Sequence, residues 1–127
     1  MIVVDASAAV SALLNAGLAR EALAEEQVHV PHLIDPEVAN ALRRGVASSR
    51  IGAGDAWSAL DRWRRLGVSR YAVVQLFERV WELRENLSAY DASYVALAET
   101  LGCALFTADV RLARAPGLRC PVTVVPR

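Results

Sequence analysis

Four carboxylates stand where the chain gives them chemical work to do. Asp5 ends the apolar run Ile2-Val3-Val4, and Asp109 follows the run Ala104-Leu105-Phe106-Thr107. Glu37 and Asp91 fall in the first turns of two helical stretches, Ile34 to Ser48 and Ser88 to Leu101. Carboxylates gathered at ~5 Å repel one another by roughly 3 kcal/mol per pair at an effective dielectric near 20. Protonation offsets that repulsion, and so does a divalent cation. An all-oxygen set without Cys or paired His suits Mg²⁺ or Mn²⁺. Such a centre suits phosphodiester hydrolysis, in which the metal activates water and neutralises phosphate charge. Taken singly, each acid also has a plain structural reading. Asp5 and Asp109 can cap the helical segments that follow them, and Glu37 and Asp91 suit the positive end of a helix dipole.

The elements that must position these acids alternate between short apolar strands and helices. Residues 2–5 read as a strand, followed by a helix from Ala6 to Asn15 that Gly17 breaks, and a second helix over Leu18 to Glu25. Gln27 to Val30 reads as a strand closed by Pro31. The helix from Ile34 to Ser48 has Asp35 as its expected cap and Pro36 in its first turn. Asp55 is the expected cap of the next helix, which carries Trp57, Leu60 and Trp63 and ends at Gly67. Val68 to Val73 reads either as a strand or as a linker. Val74 to Asn86 is expected to be one helix with Leu76, Phe77, Val80 and Leu83 inward. Gly102 stops the Ser88–Leu101 helix, Val110 to Ala113 makes a helical turn, and Pro121 to Val125 is a last strand. This alternation predicts a three-layer α/β/α sandwich around a central, mostly parallel sheet. No repeat or linker divides the chain, so residues 1–127 are expected to form a single domain. If the first and fourth strands are neighbours, Asp5 and Asp109 share one sheet edge, where open α/β sheets bind ligands.

Composition removes several alternatives. Hydrophobic residues make up 54% and charged residues 22%, which suits a packed core rather than a disordered chain. Formal net charge is zero, which argues against a strongly basic nucleic-acid module but leaves room for a local patch. All fourteen basic residues are Arg, so no mechanism can use a catalytic Lys. A phospho-aspartate enzyme built on Asp5 wants a Lys and a second acid two residues on, where this chain has Ser7. Cys103 and Cys120 fit no metal spacing and are expected as reduced thiols, with a disulfide as the alternative. No basic segment leads into an apolar core at the start, and no apolar run nears the ~18 residues of a membrane span. The expectation is a cytoplasmic protein with no membrane partner.

Four stretches together resemble the PIN-domain family, specifically its VapC-type toxin ribonucleases. They are Val3-Val4-Asp5-Ala6-Ser7-Ala8, Pro36-Glu37-Val38-Ala39-Asn40-Ala41-Leu42-Arg43-Arg44, Tyr90-Asp91-Ala92-Ser93-Tyr94-Val95-Ala96-Leu97-Ala98 and Leu105-Phe106-Thr107-Ala108-Asp109. The resemblance implies Asp5, Glu37, Asp91 and Asp109 as the acidic catalytic quartet, with Asp5, Asp91 and Asp109 on the metal. It further implies a Mg²⁺- or Mn²⁺-dependent endoribonuclease acting on RNA, a VapB-like antitoxin that inhibits it, and a homodimer. The competing readings are a PIN nuclease of RNA processing and a non-catalytic PIN-like binding module. A dead site has no reason to hold mutually repelling acids, and the small size favours the toxin.

Ser7 and Thr107 match polar family positions beside Asp5 and Asp109. They can orient a carboxylate or hold a water, or serve as caps. Asn40 lies one turn after Glu37 on the same helical face and can meet the site or a phosphate, or stand as a solvated or core-edge amide. Arg43 and Arg44, and the cluster Arg62, Arg64, Arg65 and Arg70, read first as solvated helix surface and second as contacts for RNA or a partner. His29 and His32 read as loop residues rather than metal ligands. The aliphatic surface of the first two helices, including Leu14 and Leu18, is either core or a partner groove.

Overall fold

A computed structural model describes all residues, 1–127. Five strands form one sheet in the order β3-β2-β1-β4-β5, every pairing parallel: β1 (Ile2–Val4), β2 (Val28–Pro31), β3 (Ser69–Tyr71), β4 (Ala104–Thr107) and β5 (Val122–Val124). The helices are α1 (Ala6–Leu14), α2 (Leu18–Glu25), α3 (Ile34–Ala47), α4 (Ala53–Arg65), α5 (Phe77–Glu82), α6 (Ala89–Leu101) and α7 (Val110–Ala113). Helices α1 to α4 pack on one another, while α6 lies on β1, β2 and β4 with α5 against it. The result is the expected α/β/α sandwich.

The order of the strands decides where a site can lie. The chain winds outward from β1 through β2 to β3, then crosses back to place β4 on the other side of β1. The winding direction therefore reverses between β1 and β4, and ligands of open α/β sheets bind outside the carboxyl ends of the strands at such a point. Val4 pairs with Phe106, and the Asp5 N–H donates to the Phe106 carbonyl at 3.0 Å. β1 is buried along its whole length, as a central parallel strand covered on both faces must be.

Four local expectations are corrected. Asp35 does not cap α3, which begins at Ile34; its carboxylate instead accepts from the Trp63 indole at 2.8 Å and from Arg70 Nε at 2.7 Å. Asp55 does not cap α4 either: Gly52 holds that position, and Asp55 lies within the first turn. The stretch from Val74 is not one helix. It is a 3-10 turn over Val73–Leu76, then the short α5, which ends before Asn86. Phe77 is not inward but exposed, while Leu76, Val80 and Leu83 are buried as expected. The ambiguous stretch after Val68 holds the edge strand β3, which pairs with β2. Cys103 and Cys120 are both free thiols.

Candidate active site

Asp5 is held from both sides of the β1–β4 junction. Its Oδ1 accepts from the Ala8 N–H at 2.9 Å, which caps α1, and from Ser7 Oγ at 2.6 Å. Its Oδ2 accepts from Thr107 Oγ1 at the end of β4. Ser7 Oγ also accepts from the Ala108 N–H at 2.8 Å, and Thr107 Oγ1 from the Asp109 N–H at 3.0 Å. The capping reading of Asp5 is thus met, and the same carboxylate lies at the end of β1, where the candidate site is expected. Burial pushes its pKa up, Ser7, Thr107 and the Ala8 N–H oppose the rise, and Asp109 adds to it.

The other three acids face the same end of the sheet. Asp91 occupies the first turn of α6, where its backbone N–H donates to the capping Ser88 Oγ at 3.2 Å. Its half-buried carboxylate takes no hydrogen bond from the protein. Burial raises its pKa, with Asp5 and Asp109 adding repulsion and Arg111 opposing. Glu37 is raised by burial and by the charges of Asp91 and Asp5, against a hydrogen bond from Tyr94 and the charge of Arg44. Asp109 caps α7, its Oδ1 accepting from the Arg111 N–H at 2.9 Å. The structure therefore brings Asp5, Glu37, Asp91 and Asp109 into one electrostatic cluster.

The cluster has the donor chemistry of a hard divalent cation: oxygen only, mutually repelling, and with one carboxylate free of any protein donor. No group of three or more acidic, His or Cys side chains is drawn together here tightly enough to hold a metal ion; Asp109 is bonded to the start of α7 and Glu37 to Tyr94.

Tyr94 is the residue that sequence reasoning missed. It is one turn beyond Asp91 on α6, only 1% exposed, and its hydroxyl donates to Glu37 Oε1. Its spacing from Asp91 within one helix was the available signal. Asn40 lines the cleft beside Glu37, its side-chain oxygen accepting from Arg43 Nε at 2.9 Å. The other candidates have structural partners. Arg62 donates to the Leu13 carbonyl, Arg64 and Arg65 pair with Asp61, and Arg70 pairs with Asp35. His29 Nδ1 meets the Tyr71 hydroxyl at 2.6 Å, within the sheet and away from the acids.

Comparisons with known proteins bear on the family and the fold. The PIN domain family model matches residues 2–118. The chain is 64% identical to ribonuclease VapC9 of Mycobacterium tuberculosis (strain ATCC 25618 / H37Rv) over 127 residues, covering 100% of both. Among solved structures it superposes on PAE2754 from Pyrobaculum aerophilum with a TM-score of 0.72 at 23% identity, over 95% of this chain and 81% of that one. A toxin–antitoxin complex from Klebsiella pneumoniae matches with a TM-score of 0.72 at 19% identity, over 100% of both chains. These two likenesses concern the fold.

Proposed function

The chain belongs to the PIN-domain family, as a VapC-type toxin, and on that premise we propose that it is a divalent-metal-dependent endoribonuclease built as one nuclease domain. The observation that carries this reading is the acidic cluster at the β1–β4 reversal, above all the unpaired Asp91 beside the buried Asp5. Asp5, Asp91 and Asp109 are the residues to hold Mg²⁺ or Mn²⁺. A bound divalent cation supplies neutralisation of phosphate charge and acidification of water. Ser7 and Thr107 fix both oxygens of Asp5, so that it meets the cation in one orientation. Glu37, oriented by Tyr94, accepts a hydrogen bond from the attacking water and aligns it with the phosphodiester.

Two partners follow from the same premise. A VapB-like antitoxin is the proposed inhibitor, supported by the exposed Leu14 and Leu18 on α1 and α2. A second copy of the chain is the proposed partner for the exposed Val74, Phe77 and Trp81. The module acts in the cytoplasm, and no helix is long and apolar enough to cross a membrane.

The test is cleavage of single-stranded RNA in Mg²⁺, Mn²⁺ or EDTA by the wild type and by Asp5→Asn. Cleavage in either metal, lost in EDTA and lost in the variant, is the expected result. Undiminished cleavage by Asp5→Asn, or in EDTA, would sink the mechanism.

A further inference from the structure

A trough of about 420 Å³ runs from the acids between α1 and α3. Ser7, Val10 and Leu14 line it from α1, Leu14 being shared with the proposed antitoxin surface; Glu37, Asn40 and Arg44 line it from α3, and Arg127 lies at its far end. The spacing explains the walls. Residues three, four and seven apart share one helical face, so each helix gives the trough one continuous stripe. Glu37 and Ser7 stand at the acidic end. Arg44 and Arg127 stand at the other, both exposed and in no ion pair. Arg127 is placed there by the fold: Ser11 Oγ donates to the Pro126 carbonyl at 2.6 Å, and the Val125 N–H donates to the Thr107 carbonyl at 2.8 Å. Beyond these two arginines the trough continues into a second hollow of about 780 Å³, which Arg50 also lines.

We propose that this trough is the bed for the single-stranded RNA flanking the scissile phosphate, with Arg44 and Arg127 neutralising the flanking phosphates. The assignment rests on the ribonuclease reading and names how that site holds its substrate. Seven residues of helix rise about 10 Å, enough to set the arginines at the phosphates next to the scissile one. The side chain of Val10 offers an apolar surface to a ribose or base. Asn40, with its oxygen occupied by Arg43, keeps its NH₂ as a donor for phosphate or base. Charge selects RNA over an acidic peptide. A peptide drawn to the arginines would have its carboxylates opposed by Glu37 at the other end. A nucleic acid instead places one phosphate on the divalent cation that the acids would hold, as cleavage requires, and its neighbours on the arginines.

The experiment measures binding of a fluorescent single-stranded RNA oligonucleotide in EDTA across a series of KCl concentrations, alongside KM and kcat for its cleavage in Mg²⁺. Arg44→Ala and Arg127→Ala each weaken binding about threefold to tenfold. Each also flattens the slope of log affinity against log salt by about 0.7, and the double variant by about 1.4. Arg44→Lys keeps the slope. In cleavage KM rises for both, and kcat of Arg127→Ala stays within about twofold, because Arg127 acts on none of the groups placed at the reacting atoms. Both side chains are exposed, and unchanged thermal unfolding confirms that the variants fold. A wild type that cuts RNA, with a double variant of unchanged slope and KM, overturns the RNA bed and leaves the ribonuclease reading standing. A variant whose RNA binding is unchanged but which no longer holds its co-expressed partner protein assigns the trough to that protein and also overturns the bed. A wild type that neither binds nor cuts RNA overturns both.

Discussion

The hydroxyl of Tyr94, buried on α6, donates to Glu37 on α3. The bond joins two helices from opposite faces of the sheet at the carboxyl ends of the strands. It also fixes a carboxylate that burial and the charges of Asp91 and Asp5 would otherwise leave unfavourably placed. Tyr94→Phe removes only this donor. Loss of a positioning hydrogen bond predicts a fall in kcat of about tenfold or more with KM within about twofold. The half-buried Glu37 can still reach water, so the fold loses only about 1 kcal/mol. Steady-state kinetics and urea unfolding check the two parts separately.

Thr107 carries a heavier structural role than Tyr94. Both it and Asp5 are almost wholly buried, and its hydroxyl bridges an Asp5 oxygen to the Asp109 N–H. Thr107→Val keeps the shape and deletes both bonds. The expected cost is about 1–3 kcal/mol by urea unfolding, together with a large loss of RNA cleavage. Ser7→Ala on the same background costs less than it does alone, since Ser7 and Thr107 belong to one network 3.3 Å apart at their hydroxyls.

Acidity should separate the site from the scaffold. Asp5, Glu37 and Asp91 have pKa values raised in the fold, each chiefly by burial. A carboxyl raised on folding stabilises the native state below its ordinary range, near pH 4, and loses that contribution as pH rises through the raised value. Asp35 behaves oppositely. The hydrogen bond from Arg70 lowers it, so its contribution is present above the ordinary range and lost as pH falls through the lowered value. Glu99 is also lowered: burial pushes it up, but Arg79 and the Arg119 N–H outweigh that. In EDTA, melting temperature should therefore fall as pH rises above the ordinary carboxylate range, near pH 4, and Mg²⁺ should flatten or reverse that slope. Asp91→Asn should raise the metal-free melting temperature at pH 8 by about 3–6 °C for each ~1 kcal/mol of repulsion relieved, while abolishing cleavage. A metal-free slope of the opposite sign would remove the repulsion argument.

Much of this site was legible in the chain because each acid sits at a punctuation mark. Asp5 ends an apolar run, Asp109 follows another, and Asp91 follows a Ser that caps its helix. Local signals of that kind survive without tertiary information, and the strand order then brings them together. Tyr94 was harder to read, because a Tyr inside an apolar helical run looks the same whether its hydroxyl meets solvent or a carboxylate. Phe77 was misjudged because Leu76, Val80 and Leu83 alone make the buried stripe of this segment, which leaves Phe77 and Trp81, four residues apart, together on the exposed face. Arg127 gave no local signal at all. Its place in the trough depends on the hydrogen bonds that tie Val125 and Pro126 to residues far back in the chain.

Asp35 shows how a plausible cap can be recruited for a longer-range task. Its side chain lies inside the first turn of α3, where it accepts from the indole N–H of Trp63 on α4 and from both Nε and Nη2 of Arg70 on β3. Trp63 is 1% exposed, so its N–H has little access to water if Asp35 is removed. Asp35→Ala should cost about 1–3 kcal/mol, mainly through that unpaired donor. The Arg70 pair is partly exposed and adds a smaller amount. Asp35→Asn keeps an acceptor for the indole and should recover most of the loss, whereas Arg70→Ala should cost less than about 1 kcal/mol. None of the three residues belongs to the acidic cluster, so RNA cleavage at 25 °C should stay within about twofold of wild type in all three variants. Urea unfolding and cleavage rates measured side by side check this separation. Equal losses in Asp35→Asn and Asp35→Ala would show that charge, and not the acceptor for Trp63, holds α3, α4 and β3 together.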